Sequence, residues 1–150
     1  RKSKLIFEPG RYMTANAGIL ISKVINIKQN EDKHFAIIDA GMNDLIRPAL
    51  YSSWQQITEI SKKDGNTRQY DVVGPICETG DFLGKNRDLN LGPDDLVAIH
   101  SAGAYGFVMS SNYNSRNKPA EVIVSGSKAH CVRSRETIDD QLRLEKKFPI

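Results

Sequence analysis

A thiol and two carboxylates occur within residues 77–81, directly after an apolar run over residues 70–76. A strand that ends in such a loop holds Cys77 beside Glu78, so that a thiol can transfer a proton and a carboxylate can bind a cation. The alternative is a buried cysteine that acts as a small apolar side chain beside a solvated glutamate. Because acidic turns after strands are common, the functional interpretation needs support from other stretches of the chain.

Residues 8–11 combine a carboxylate, a proline, a glycine and an arginine, and they follow a short apolar run at residues 5–7. In (β/α)8 barrels, loops between a strand and a helix hold phosphates and substrates. Gly10 allows the backbone to approach a phosphate, and Arg11 offers a planar pair of donors to a carboxylate. The alternative is a turn that ends a strand and carries a surface arginine.

Three further side chains could bind an anion. Arg47 and Tyr51 are four residues apart with Pro48 between them, which predicts an irregular extended loop. An arginine and a phenol hydroxyl together can hold a carboxylate in a fixed geometry. Tyr105 lies between two small residues that leave its hydroxyl free to reach a phosphate. The alternatives are an arginine that satisfies local carbonyls and tyrosines that are simply packed.

Several function classes receive no support from the sequence. The three histidines lack metal-ligand spacing, the glycines form no nucleotide-binding fingerprint, and the two cysteines make no disulfide framework. The net charge of +3 comes from scattered basic residues, so we expect no nucleic-acid surface. No apolar stretch approaches the roughly 20 residues that span a bilayer. We therefore expect a cytoplasmic protein that has no metal site and does not bind a membrane.

Most of the elements that position these groups are predicted strands. Apolar residues spaced as in a helix predict one amphipathic helix of about three turns over residues 17–25, and Thr137 is typical of the N-cap of a last helix that runs through Leu144. Many short strands separated by loops predict an antiparallel barrel or sandwich. The predicted strands are residues 5–7, 35–38, 55–61, 70–76, 96–99, 121–124 and 129–132, the last two joined by a hairpin turn.

Residues 8–11, 42–51, 77–81 and 101–106, in this order, resemble the C-terminal part of the diaminopimelate decarboxylase family. The resemblance extends from Glu8 to about Glu145. It implies a pyridoxal phosphate (PLP) enzyme that converts meso-2,6-diaminopimelate to L-lysine and CO2. Ornithine and arginine decarboxylases of the same superfamily share a Cys-acidic loop and a Tyr-Gly motif, but they are not expected to carry residues 42–51 in this form.

The resemblance also implies an architecture. The chain is then mainly β, with residues 1–25 as the last βα unit of an alanine-racemase-like (β/α)8 barrel that binds PLP. Residues 26–150 form a Greek-key-like antiparallel β-barrel domain with a short final helix. Members of the family are homodimers in which the loop at residues 77–81 reaches the active site of the partner subunit.

The resemblance assigns roles to the residues named above. Cys77 is the proton donor that acts after CO2 has left. Cofactor binding falls to Glu8, Gly10, Arg11 and Tyr105, and substrate binding falls to Arg11, Arg47, Tyr51, Glu78 and Tyr105.

None of the lysines has an obvious setting for a Schiff base with PLP, and the family's lysine lies upstream of residue 1. We therefore expect the isolated chain to be inactive. Two other functions stay open: a related PLP decarboxylase that acts on another basic amino acid, and a non-catalytic β-domain that binds a ligand or a protein partner.

Overall fold

The computed structural model describes residues 3–31 and 33–149. Its central element is a six-stranded sheet with the strand order β3-β6-β1-β2-β4-β5. The two edge strands, β3 and β5, also contact each other, so the sheet is nearly closed into a barrel. The strands are β1 (Leu20–Asn30), β2 (Lys33–Ile38), β3 (Ile57–Glu59), β4 (Arg68–Val73), β5 (Phe82–Leu89) and β6 (Leu96–Ile99).

Strand β1 joins the two halves of this sheet. Its first half pairs with β6, in the register Leu20 to Ile99, and the register with β2 shifts between Val24 and Asn26. Such a bulge bends a strand and increases its twist, which favours closure of the sheet. All pairs are antiparallel except β2 and β4, which run parallel. The mainly β, barrel-like prediction is confirmed, with this one parallel pair as a correction.

The interior of the barrel is apolar. In β4 alternate residues point inward, since Tyr70 and Val72 are buried and Asp71 is only partly buried. Burial of such side chains is the main favourable term in folding. The side chains with no exposed surface are Val24, Ala36, Ile38, Val72, Leu83, Val97 and Ile99.

The predicted helix over residues 17–25 is wrong. Residues Ala15–Ala17 form a short 3-10 helix, and β1 starts at Leu20. The apolar residues in this stretch fit both a helical and an alternating pattern, and its β-branched residues favour a strand once β2 and β6 supply pairing partners.

The predicted strand at residues 5–7 is also wrong, because these residues are about four-fifths exposed and belong to no strand. The described residues before β1 therefore contain no βα unit. The predicted boundary between residues 25 and 26 lies inside β1. The division into a barrel remnant and a sheet domain stays a prediction.

Other elements follow the sequence more closely. Strands β2, β3, β4 and β6 form where strands were predicted, as do β7 (Glu121–Ser125) and β8 (Lys128–Arg133), which make a separate exposed hairpin. The final helix, α2 (Ile138–Leu142), has the predicted N-cap, since Thr137 and Asp140 form a reciprocal capping box, but it ends before Leu144. Strand β5 was missed because polar residues interrupt its apolar pattern. Within the described part of the chain, no helix is long and apolar enough to cross a membrane.

Truncation of a core residue tests this packing. Leu83 is fully buried, whereas Leu144 is 81% exposed. Leu83→Ala should lower the free energy of unfolding by about 2–5 kcal/mol, because it removes buried surface and leaves a cavity. Leu144→Ala is the matched control and should change it by less than about 0.5 kcal/mol. Urea denaturation followed by circular dichroism measures both, and equal effects would contradict the position of the core.

Candidate functional site

The four candidate stretches lie at the same end of the barrel. Strands β2, β4 and β6 run in one direction, because β2 pairs parallel with β4 and both β2 and β6 pair antiparallel with β1. Residues 42–51, 77–81 and 101–106 follow the carboxyl ends of these strands, and residues 8–11 precede the start of β1. Strand direction therefore gathers residues that are far apart in sequence.

Four of the predicted residues form one group, which we call the arginine cluster: Arg11, Arg47, Tyr51 and Tyr105. The Arg47 guanidinium carbon lies 4.9 Å from the centre of the Tyr51 ring and 5.6 Å from the centre of the Tyr105 ring. Arg11 Nη2 donates to the carbonyl oxygen of Ser101 at 3.5 Å, in the loop that carries Tyr105. Three stretches of sequence thus converge on one anion-binding arrangement.

A short helix, α1 (Arg47–Tyr51), sets the spacing of Arg47 and Tyr51. The predicted extended loop is therefore wrong at this point. Pro48 lies in the first helical turn, where its fixed φ favours helix formation and its missing N–H has no cost. Residues four apart on a helix project from the same face. The helix consequently brings the two side chains together in a way that an extended segment would not.

The loop that carries Tyr105 is held by a residue that sequence reasoning missed. Gln55 is only 1% exposed, and its amide nitrogen donates to the carbonyl oxygens of His100 at 2.9 Å and Ser101 at 3.2 Å. Ser101 and Tyr105 both have positive φ, at 58° and 57°. Such backbone strain persists only where the surroundings over-determine it. No sequence signal marks Gln55, since its importance depends on residues 45 positions away.

The arginine cluster has unused donors. Arg11 Nη1 and Arg47 Nε are buried and find no hydrogen-bond acceptor among the described residues. Leaving such a group unpaired costs about 1–3 kcal/mol or more, so these donors fit a negatively charged ligand. Gly10 has φ +52°, a conformation that favours glycine, and a Cβ there would lie 3.9 Å from the Tyr105 hydroxyl. Together these groups fit a phosphate or a carboxylate.

The loop at residues 77–81 is arranged differently. Cys77 and Glu78 are both exposed, so Cys77 is not a buried apolar side chain. The Tyr113 hydroxyl donates a hydrogen bond to the Glu78 carboxylate, and this bond raises the pKa of Tyr113 above its ordinary value. Tyr113 was missed by sequence reasoning, because it lies outside the four stretches that carry the resemblance. It holds Glu78 in a defined orientation at the surface.

The loop and the arginine cluster are separate within this chain. Across the described residues, no hydrogen bond, ion pair or cation–π contact joins Cys77 or Glu78 to a member of the cluster. Glu8 is exposed, and no hydrogen bond or ion pair among the described residues joins it to either group. Cys131, the second cysteine, is exposed on β8. The predicted site residues therefore form two groups.

A third feature connects the turn after β2 with the loop after Tyr113. Arg116 donates from Nε to the Asn43 side-chain oxygen at 2.9 Å and lies 3.8 Å from the Asp44 carboxylate. Burial raises the pKa of Asp44, and its hydrogen bond from the Gly41 amide and the nearby Arg116 partly oppose that shift. This network fixes the turn that leads into α1.

The space beside Tyr105 is large enough for a ligand or for another polypeptide segment. A cleft of about 670 Å³ lies between the start of β1 and the β7–β8 hairpin. Its lining includes Leu45, Tyr105, Phe107, Lys118 and Arg133. In the ranges 3–31 and 33–149, no group of three or more His, Cys, Asp or Glu side chains could hold a metal ion.

Comparisons with known proteins agree with this geometry. The chain is 57% identical over 149 residues to the diaminopimelate decarboxylase of Pseudomonas fluorescens, a match that covers 99% of this chain and 36% of the relative. The crystal structure of diaminopimelate decarboxylase from M. jannaschii superposes with a TM-score of 0.90 at 36% identity, covering 93% of this chain and 32% of that one.

The diaminopimelate decarboxylase of Helicobacter pylori, solved in complex with L-lysine, gives a TM-score of 0.85 at 43% identity and covers 91% of this chain and 34% of that one. The chain thus spans about a third of the length of the relatives it matches. Residues 11–103 match the family described as "Pyridoxal-dependent decarboxylase, C-terminal sheet domain". By this match, the chain belongs to the pyridoxal-dependent decarboxylases and contains their C-terminal sheet domain.

Proposed function

We propose that this chain is the C-terminal part of a PLP-dependent decarboxylase that converts meso-2,6-diaminopimelate to L-lysine and CO2. The observation that carries the proposal is the arginine cluster, in which two guanidinium groups have buried N–H groups without an acceptor. The matched relatives at 50–57% identity, all named diaminopimelate decarboxylases, support the choice of substrate. A role in amino-acid biosynthesis implies a cytoplasmic protein.

The arginine cluster is suited to the end of the substrate that does not react. Meso-diaminopimelate carries an amino group and a carboxylate at both ends, so its distal end must be recognised as an amino acid. The Arg47 guanidinium lies against both the Tyr51 and Tyr105 rings, which restricts its motion and supports a fixed geometry for binding a carboxylate. Arg11 supplies a second set of donors. An arginine that is already ordered loses less entropy when it binds.

The same end of the barrel fits the phosphate of the cofactor. Gly10 lets the backbone approach an anion, while the Arg11 donors and the Tyr105 hydroxyl lie close to it. PLP, when bound, withdraws electrons from the substrate carbon and so permits loss of CO2. The residues of this chain orient the phosphate and the substrate carboxylate, and they neutralise negative charge that would otherwise be buried without a partner.

Cys77 and Glu78 are assigned to the active site of a second copy. Both side chains are exposed and separate from the arginine cluster of their own chain, which supports a homodimer with shared sites. The Cys77 thiol then donates a proton to the carbon that has lost CO2. Glu78, oriented by Tyr113, pairs with the distal ammonium of the substrate. The substrate is thus bound by residues of both copies.

The proposal is tested with the complete polypeptide that carries this chain. With PLP and meso-diaminopimelate it should release CO2 and L-lysine in equal amounts, measured by a coupled CO2 assay and by amino-acid analysis. The 150-residue chain alone should show no turnover, because none of its lysines has a setting for cofactor attachment. A complete protein that binds PLP but decarboxylates only ornithine or arginine would overturn the choice of substrate.

The role of Arg47 gives a second prediction. In the complete enzyme, Arg47→Leu should lower kcat/KM for meso-diaminopimelate by at least about tenfold, since loss of one partner of a desolvated charge pair typically costs about 2–5 kcal/mol. Any residual activity towards lysine, which lacks the distal carboxylate, should fall less. Arg68→Leu, at an exposed position in β4, is the matched control and should leave both values unchanged. Equal losses of kcat/KM on both substrates would mean that Arg47 stabilises the fold or binds the cofactor, and does not bind the distal carboxylate.

A further inference from the structure

Asp81 is a buried carboxylate that the proposed chemistry does not use. It is 4% exposed, and its two oxygens accept hydrogen bonds from two different segments of the chain. Oδ1 accepts from the backbone N–H of Met42 at 2.6 Å, and Oδ2 accepts from the backbone N–H of Ile76 at 2.6 Å. Hydrogen bonds to an ionised carboxylate are among the strongest in proteins. One side chain thus joins two loops that are more than thirty residues apart.

The surroundings of Asp81 are shaped to admit it. A Cβ on Gly74 would lie 2.4 Å from Asp81 Oδ2 and 2.7 Å from the Cα of Gly41. A Cβ on Gly41 would lie 3.1 Å from Asp81 Oδ1. The two glycines are therefore needed because the Asp81 carboxylate and the two segments approach one another closely, and not because the backbone has a positive φ at either position. Any larger residue at position 74 would displace the carboxylate from between the two segments.

The charge of Asp81 is balanced by backbone groups. No Lys, Arg or His of residues 3–31 and 33–149 lies within ion-pair distance of it. A buried carboxylate in this setting depends on its N–H donors. In Asp81→Asn, the side-chain oxygen can accept from only one of the two backbone N–H groups, those of Met42 and Ile76. The side-chain NH2 group then faces the other N–H, so that two donors meet without an acceptor.

The two joined segments carry both groups of site residues. Met42 begins the stretch that leads through a tight turn into α1, where Arg47 and Tyr51 lie. Ile76 directly precedes Cys77 and Glu78. The parallel pairing of β2 with β4 brings these segments side by side, and Asp81 fixes them to each other.

We propose that Asp81 is a positioning residue of the decarboxylase, which fixes the loop of Cys77 and Glu78 relative to the helix of Arg47 and Tyr51. This inference rests on the proposed function. Because Cys77 serves the site of the partner copy and Arg47 serves the site of its own, Asp81 connects the two active sites of the dimer through a single chain.

The kinetic test uses the complete enzyme. Asp81→Asn should lower kcat at least about tenfold through misplacement of the loop, since small displacements of reacting groups have large effects on rate. In a Cys77→Ala/Glu78→Ala background the same substitution should change kcat less than about twofold, because both of the side chains that Asp81 positions are then absent. Equal losses in both backgrounds would make Asp81 purely structural and overturn the proposal.

A matched control separates positioning from stability. Asp95 also accepts a backbone N–H, from Gly92 at 2.7 Å, and it pairs with Lys63 at 2.5 Å on the turn before β6. Asp95→Asn should lower the melting temperature and leave kcat unchanged within about twofold, as expected for an additive, distant site. If Asp95→Asn and Asp81→Asn had similar melting temperatures and lost kcat to the same extent, the loss would follow from stability alone and the proposal would be overturned.

Amide hydrogen exchange tests the contact independently of any activity. In the wild-type protein the amides of Met42 and Ile76 should exchange as slowly as those of the sheet, and in Asp81→Asn both should accelerate at least about tenfold. Fast exchange at either amide of the wild type would overturn the proposal even if no variant folds. If the wild type decarboxylates nothing, the proposed function fails, while the exchange data still decide whether Asp81 holds both segments.

Discussion

The direction of three strands is the constraint on which the rest of the site depends. Strands β2, β4 and β6 point the same way, so the segments that follow them emerge at one end of the barrel. The parallel pair β2–β4 is essential to this arrangement, since an antiparallel pair would send the Cys77 loop to the opposite end. Hydrogen bonds across the ladder therefore determine which side chains can meet, before any of those side chains contributes to binding.

At this end of the barrel, the polar side chains fall into three groups that differ in burial and hydrogen bonding. Two buried side chains fix loops: the Asp81 carboxylate accepts from backbone N–H groups, and the Gln55 amide nitrogen donates to backbone C=O groups. The arginine cluster retains buried N–H groups that suit an anion. Cys77 and Glu78 stay at the surface, where a second copy can reach them. Stability and function are thus divided between neighbouring residues.

Sequence patterns predicted the parts of this molecule that follow a simple local rule. Strand β6 is a short apolar run, and the β7–β8 hairpin has a turn signal between two such runs. The residues of the arginine cluster were recognised by their chemistry and by a family resemblance. Strand β1 was misread because its apolar spacing fits two periods, and only pairing with β2 and β6 decides between them. Asp81, Gln55 and Tyr113 were not assigned a role because their partners lie 39, 45 and 35 residues away.

The central claim is that one chain supplies Arg11 and Arg47 to one active site and Cys77 to another. The most direct test mixes two weakly active variants of the complete protein, Cys77→Ala and Arg11→Ala, under conditions in which subunits exchange. Mixed dimers would contain one site with neither substitution, so activity should recover to about a quarter of the wild-type value for a two-fold symmetric dimer. Cys131→Ala should be fully active before mixing. A mixture that exchanges subunits and gains no activity would contradict the shared site.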